Sequence, residues 1–303
     1  MHPFLTILIR SLVLAIAAMA LSPGTAGAEL LFTFEAGGSY EDNVIGLTAD
    51  NPNVGAEVRR GAGQTIGGVH LKGGLDGIPG GGGGGGGGAA GGGTVQRTGD
   101  FATDLYADIG WDHDLAEETG LVLLVSAKHK AYSTYSQFDF TIGTLSIGAN
   151  HRFTGAVTGR IDASVSSKEF EGTLRDSTAY GVSASLRERV TPAFWLKESI
   201  RAEQNTSRSA LYDYTGVTAG IRAGYDISDR QSLSAGYSYL VRDFKNEVPA
   251  FKLTAQVVGL DWSLELNDAW TLLAGYDHEW ADSTIPNTAT TNNIYTIALR
   301  YNY

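Results

Sequence analysis

Between positions 217 and 226 the chain alternates strictly. Val217, Ala219, Ile221, Ala223 and Tyr225 interleave with Thr218, Gly220, Arg222, Gly224 and Asp226. The same period of two runs through 157–166, 233–242, 270–280 and 293–303. In an extended strand successive side chains point to opposite faces, so each segment predicts a strand with one apolar face and one small or polar face. Helical spacing at i, i+3 and i+4 fits none of these windows. Reading the whole chain this way gives twelve candidate strands, at about 30–40, 101–111, 121–132, 138–151, 157–169, 177–188, 195–204, 212–226, 232–243, 251–265, 270–281 and 293–303. Their connections fall into two classes. Those at 112–120, 152–156, 189–194, 227–231 and 266–269 are short and punctuated by Asp, Asn, Pro or Gly; those at 41–100, 133–137, 170–176, 205–211, 244–250 and 282–292 form the other class. Short turns on one side and longer loops on the other are the arrangement of a transmembrane barrel with both termini on the turn side.

Three places disturb the alternation. In 251–265 the apolar set Phe251, Leu253, Ala255, Val257 continues as Val258, Leu260, Trp262, Leu264, which predicts a β-bulge near Val257. In 138–151 the set Phe138, Phe140, Ile142 gives way to Leu145, Ile147, Ala149, which predicts a second slip near Gly143. Glu198 falls in the outward set between Leu196 and Ile200, where a carboxylate in lipid is costly away from the headgroups.

The N-terminus reads differently. Arg10 precedes an apolar run over 12–21, followed by Pro23, Gly24 and the small-residue site Ala26, Gly27, Ala28. This is the order of a cleaved secretory signal peptide over 1–28, and the run is too short for the ~20 residues of a spanning helix. The barrel is then expected over 29–303. No later stretch is apolar enough for a helical span. Mean hydropathy of −0.08 would ordinarily mark a soluble protein. A barrel gives the same average, because only half of each strand meets lipid. Closure follows from backbone physics: an open sheet in hydrocarbon leaves edge N–H and C=O groups unpaired, at several kcal/mol each. The expected fold class is therefore all-β: a closed antiparallel up-and-down transmembrane barrel of about twelve strands.

Composition removes several functions. Zero cysteines exclude disulfides, thiolate metal sites, a thiol nucleophile and covalent haem attachment. A net charge of −11 without a basic tract argues against nucleic acid as a partner. The 40 glycines are concentrated partly in the connection 41–100, where Gly80 to Gly88 run consecutively. Phosphate-binding glycine loops open a helix, and nothing helical follows here. The tract reads as a flexible external loop.

Charge on the polar face sorts by strand. Strands three to nine carry Lys128, Lys130, Arg160, Lys168, Arg187, Lys197, Arg201, Arg222 and Arg242, with Asp162, Glu203 and Asp226 among them. Strands ten, eleven, one and two carry Asp261, Glu265, Asp277, Glu279, Glu35, Asp104 and Asp108, with Lys252 and Arg300 as exceptions. On closure strand twelve adjoins strand one, so a basic wall faces a contiguous acidic wall. Opposed walls of charge sort and orient polar solutes. The competing reading is that these residues pair with one another and plug the lumen. Enzyme chemistry is not expected: His278 and His129 face outward without a serine and an orienting group at a defensible spacing, and the histidines have no metal-ligand spacing. No cofactor is expected.

The segment Phe32-Thr-Phe-Glu35-Ala-Gly-Gly-Ser-Tyr40-Glu-Asp42-Asn43-Val44 resembles the opening strand of porin-like barrels. The end of the chain, with Tyr295, Ile297, Leu299, Tyr301 and Tyr303 at alternate positions, resembles the C-terminal assembly signal of bacterial outer-membrane barrels. Over 29–41 and 101–303 the chain is thus similar to Gram-negative outer-membrane β-barrel proteins, porin-like in class. The glycine insertion departs from that class. The resemblance implies a place in the outer membrane, with lipid and the barrel-assembly machinery as partners and either pore formation or export as the task. The expected function is a narrow channel for small polar or charged solutes. The alternatives are a sheath or export barrel working with a periplasmic or surface protein, such as a multihaem cytochrome, and a lipid-modifying enzyme.

Overall fold

A computed structural model describes residues 28–42, 99–170, 175–245, 250–284 and 289–303. The body of the expected signal segment, and 43–98 with the glycine tract, lie outside the described residues. Twelve strands run in chain order: β1 (Ala28–Glu41), β2 (Asp100–Ala116), β3 (Thr119–Tyr132), β4 (Phe140–Arg152), β5 (Val157–Phe170), β6 (Ser177–Arg189), β7 (Phe194–Ser207), β8 (Tyr214–Ser228), β9 (Gln231–Phe244), β10 (Phe251–Glu265), β11 (Trp270–Ser283) and β12 (Thr290–Asn302). Each pairs antiparallel with its sequence neighbours, and β1 closes the sheet on β12. At the seam the Tyr303 N–H donates to the Phe32 carbonyl at 2.9 Å and the Phe32 N–H to the Tyr303 carbonyl at 3.1 Å. Every ladder edge is thereby satisfied, as a span through hydrocarbon requires.

Carried round all twelve ladders, the pairing register returns to β1 displaced by about 16 residues. With ~4.7 Å between strands and ~3.3 Å rise per residue, that shear tilts the strands by about 43° and sets a backbone radius of about 12 Å.

Burial alternates along the strands, and the exposed set is the apolar one. Ile161, Val182, Ile200, Ile221, Leu260 and Ile297 stand open on the outer face. Aromatic side chains edge this belt, with Phe101, Tyr180 and Trp280 toward the long-connection end and Phe153, Tyr225 and Trp270 toward the turns. A band of aliphatic residues flanked by aromatic girdles is the lipid-facing surface of a transmembrane barrel.

The two predicted slips do not occur. β10 keeps one parity throughout: Phe251, Leu253, Ala255 and Val257 are buried inside, while Val258 and Leu260 are exposed outside. Its ladders with β9 and β11 run without a shift. β4 behaves alike, with Phe140 and Ile142 buried inside and Leu145 and Ile147 exposed. The expectation failed because it took every apolar residue for a lipid contact, whereas one end of the interior is itself apolar. As a result Lys252 is exposed on the outer face rather than inside. The register shifts that do occur lie between Asp114 and Ala116 and between Asp226 and Ser228, both beside short turns. Glu198 does face outward, paired with Leu186 and Ile221. It stands four residues into β7, about 10 Å along the barrel axis from the turn end.

Candidate functional site

The interior carries the chemistry. Lys128, Lys130, Arg160, Lys168, Arg187, Lys197, Arg201 and Arg242 are buried there, and Arg222 is half-buried. Glu35, Asp104, Asp108, Asp277 and Glu279 are buried, Asp261 is half-buried, and Glu265 is exposed at the turn end. The strand order β10-β11-β12-β1-β2 is read round the barrel as neighbours, so the acidic residues share one arc. Two further carboxylates belong to it, Glu41 and Asp100. They stand one position beyond the strand ends assigned from sequence, and following the period of two one residue further would have found them. Arg300 lies within this arc and its Nη2 contacts Glu35 Oε2 at 3.1 Å.

Four ion pairs share a geometry in which each joins strands two apart; one lies at the turn end, where Arg189 Nη1 on β6 is 3.1 Å from Asp226 Oδ2 on β8. Lys130 on β3 pairs with Glu41 on β1 above Ala102 of β2. The Arg242 Nη2 on β9 lies 3.3 Å from Glu203 Oε1 on β7, and the intervening β8 offers Gly216, where a Cβ would meet Arg242 Cγ at 3.3 Å and Glu203 Cγ at 3.4 Å. Arg222 on β8 pairs with Asp261 on β10, and the intervening β9 offers Gly236, where a Cβ would meet the guanidinium carbon at 3.2 Å. At the two glycines the missing Cβ leaves room for the guanidinium side chains to cross the intervening strand. Shorter links add to them. Arg160 Nε donates to Asp162 Oδ1 at 2.7 Å, Arg201 Nε donates to Glu203 Oε2 at 3.4 Å, and Lys130 Nζ lies 4.0 Å from Asp104. Hydroxyls complete the sets: Tyr214 donates to Glu203 at 3.0 Å, Tyr132 to Glu41 at 3.1 Å and Ser39 to Asp104 at 2.7 Å.

Toward the long-connection end the interior turns apolar on two opposed sides. Phe140, Ile142 and Phe170 pack together on β4 and β5. Across the barrel Tyr214, Leu240, Phe244, Phe251, Leu253, Ala255, Val257 and Ala281 form a larger cluster on β8 to β11. Cations lie over these rings. Lys128 Nζ is 4.9 Å from the Phe140 centroid, and the Arg242 guanidinium carbon is 4.4 Å from that of Tyr214. Arg175, in the connection after β5, places its guanidinium carbon 4.9 Å from Phe170 and 5.7 Å from Phe138. Burial pushes the Arg175 guanidinium below its ordinary pKa, against the opposing influence of Tyr212 and Asp176.

On the outer face His278 Nδ1 lies 2.6 Å from Asn293 Oδ1, which also accepts from the Tyr276 hydroxyl at 2.7 Å. Asp42 holds Asn293 by its backbone N–H at 2.8 Å and its side-chain amide at 2.5 Å. This is a histidine oriented by an amide, and the side chain two positions on is Trp280, whose ring centroid is 4.1 Å away. His129 bonds Thr141 at 3.0 Å.

The model of a family described as "Putative beta-barrel porin 2" matches residues 105–223, from within β2 to within β8. An outer membrane channel from Pseudomonas putida F1 has a similar structure, with a TM-score of 0.54 at 8% identity, over 93% of this chain and 100% of that one. The fold is that of a porin-like outer-membrane barrel. Two other porin structures are more distant. The KdgM porin, solved in complex with disordered oligogalacturonate, gives a TM-score of 0.39 at 13% identity, over 67% of this chain and 96% of its own. The NanC porin gives 0.44 at 9% identity, over 65% of this chain and 93% of its own. No curated protein matches the chain. The terminal Tyr295, Ile297, Leu299 and Tyr303 of this porin-like barrel are exposed on its outer face, and Tyr301, half-buried, packs its ring 5.0 Å from that of Trp270 at a tilt of 57°.

Proposed function

We propose that the protein is a passive channel in the outer membrane of a Gram-negative bacterium, admitting small polar or charged solutes through a narrow lumen. The observation that carries this is the interior charge: cations on β3 and β5 to β9 face an acidic arc on β10, β11, β1 and β2. A barrel serving only as an anchor gains nothing from burying so many ions, each of which costs several kcal/mol to desolvate. Fixed charge on opposed walls orients a solute dipole and selects among ions. On this reading the protein reaches its site by a cleaved signal peptide and the barrel-assembly machinery, and it takes no cofactor and performs no catalysis.

The test is purified protein in planar bilayers. Discrete conductance steps are expected, and Arg222→Glu or Arg160→Glu should move the reversal potential toward cation selectivity. Absence of conductance in either orientation overturns the channel and favours a barrel that sheathes or exports with a periplasmic or surface partner.

A further inference from the structure

We infer that the outer face of the barrel, at the long-connection end of β10 to β12, binds one uncharged sugar ring of a membrane glycolipid. The site is a groove of about 270 Å³ whose lining includes Thr254, Gln256, Trp280, Asp282, Thr290 and Thr291. Gln256, Trp280 and Thr291 form one row across the three strands, and Thr254 and Asp282 face each other in the row above. Toward the turns the same face becomes apolar, with Val258, Leu260, Tyr295 and Ile297 exposed. The groove thus sits where the polar rim meets the lipid belt. Its volume falls just below the ~300 Å³ at which pockets for drug-sized ligands begin, so it takes a single ring rather than an extended chain.

Trp280 is the platform. It is 43% exposed, and the His278 ring packs against it at 72° with centroids 4.1 Å apart. His278 is held by Asn293, and Asn293 by Asp42. The indole is therefore set in place before a ligand arrives, which lowers the ordering cost of binding. A tryptophan of the aromatic girdle needs no polar groups gathered round it. Here they are present. Gln256 accepts from the Tyr237 hydroxyl through Oε1 at 3.0 Å, which leaves its amide N–H groups to donate. Asp282 accepts from the Ser283 N–H through Oδ1 at 2.8 Å, which leaves Oδ2 to accept. A pyranose ring has a carbon face for the indole and a rim of hydroxyls for these donors and acceptors, so its polar groups stay satisfied on binding. The charge of the lining excludes the usual lipid headgroup. No lining residue is cationic and Asp282 is anionic, so a phosphate meets only repulsion. Acyl chains attached to the sugar run down over Val258 and Leu260, which ties the ring to a lipid and not to a free saccharide. The site lies on the lipid side of the wall, so it does not depend on whether the lumen conducts.

The test is native mass spectrometry of the full chain in a polyoxyethylene detergent, with glucosyl diacylglycerol as the probe and phosphatidylglycerol and diacylglycerol of the same chains as comparators. One glucosyl diacylglycerol is expected to bind, with both comparators at least about tenfold weaker. Trp280→Leu should weaken the probe about tenfold, and Gln256→Leu should weaken it less. Trp270→Leu, in the girdle at the turn end, should leave it unchanged. Heat-modifiable migration on gels verifies that each variant is folded, and Trp280→Phe, which keeps a ring but loses the N–H, serves if Trp280→Leu does not fold. Equal binding of phosphatidylglycerol or diacylglycerol, or wild-type affinity in the Trp280 variant, overturns the site.

Discussion

Replacing Glu203 with Gln removes one charge and keeps the shape. Glu203 Oε1 accepts from the Tyr214 hydroxyl at 3.0 Å and Arg242 Nη2 at 3.3 Å, while Oε2 accepts from Arg201 Nε at 3.4 Å. An amide oxygen still accepts from Tyr214, so the loss is the attraction of two guanidinium groups. At an effective dielectric of ~20, a unit pair at this separation carries about 5 kcal/mol before desolvation is counted. Both guanidinium groups are buried, and stripping one partner from a buried pair costs about 3–5 kcal/mol net. Lys168 adds to the effect, because its Nζ donates to the Tyr214 hydroxyl at 3.2 Å and its charge then faces the same gap. Two readouts follow. Urea unfolding of the barrel in lipid vesicles should show a loss of about 3–5 kcal/mol in Glu203→Gln, with a good part recovered when Arg242→Met is added. The reversal potential in bilayers should move toward anion selectivity, since the basic wall gains one net positive charge. A stability loss under about 1 kcal/mol, the level of an exposed pair, would refute the reasoning by showing that this part of the wall is fully hydrated.

Two further outcomes test the register and the wall. The chain has no native cysteine, so single-cysteine probes are clean: a fluorophore at Val258→Cys should be quenched by spin-labelled lipid and one at Val257→Cys should not, whereas a bulge between them would make both lipid-facing. Gly236→Leu should cost about 1–3 kcal/mol in the same urea assay by filling the space that Arg222 crosses, while Gly155→Leu, at a position with open space around it, should cost little.

The barrel was legible in the sequence wherever one face of a strand meets lipid and the other a polar interior. There the period of two is unambiguous, and β5, β9 and β11 begin and end within two residues of the positions read from sequence. It misled at β4 and β10. Phe140 and Ile142, like Phe251, Leu253, Ala255 and Val257, are apolar yet point inward, so hydrophobicity stopped reporting the face. A pair such as Val257 and Val258 is apolar on both sides, and only the ladder tells which residue is which. The inward charges were legible because a buried barrel wall and a lipid face differ most sharply in charge. Their pairing was not: Arg222 with Asp261 and Lys130 with Glu41 each meet across an intervening strand, a distance that sequence parity does not measure. Nor could sequence reasoning find the shifts at Ala116 and Ser228, where turn geometry absorbs an extra residue.

The ion pairs that vault a strand also bear on how such a barrel changes size. Barrels of this kind grow or shrink by whole hairpins, which preserves the ladders on either side. A hairpin inserted between β8 and β9 would keep every backbone bond of its neighbours and still part Arg222 from Asp261 and Arg242 from Glu203. The lost partners would sit buried in the new wall, at several kcal/mol apiece. Ladders alone do not register an inserted hairpin, but ties between second neighbours do, and here they oppose one between β1 and β3 or between β7 and β10.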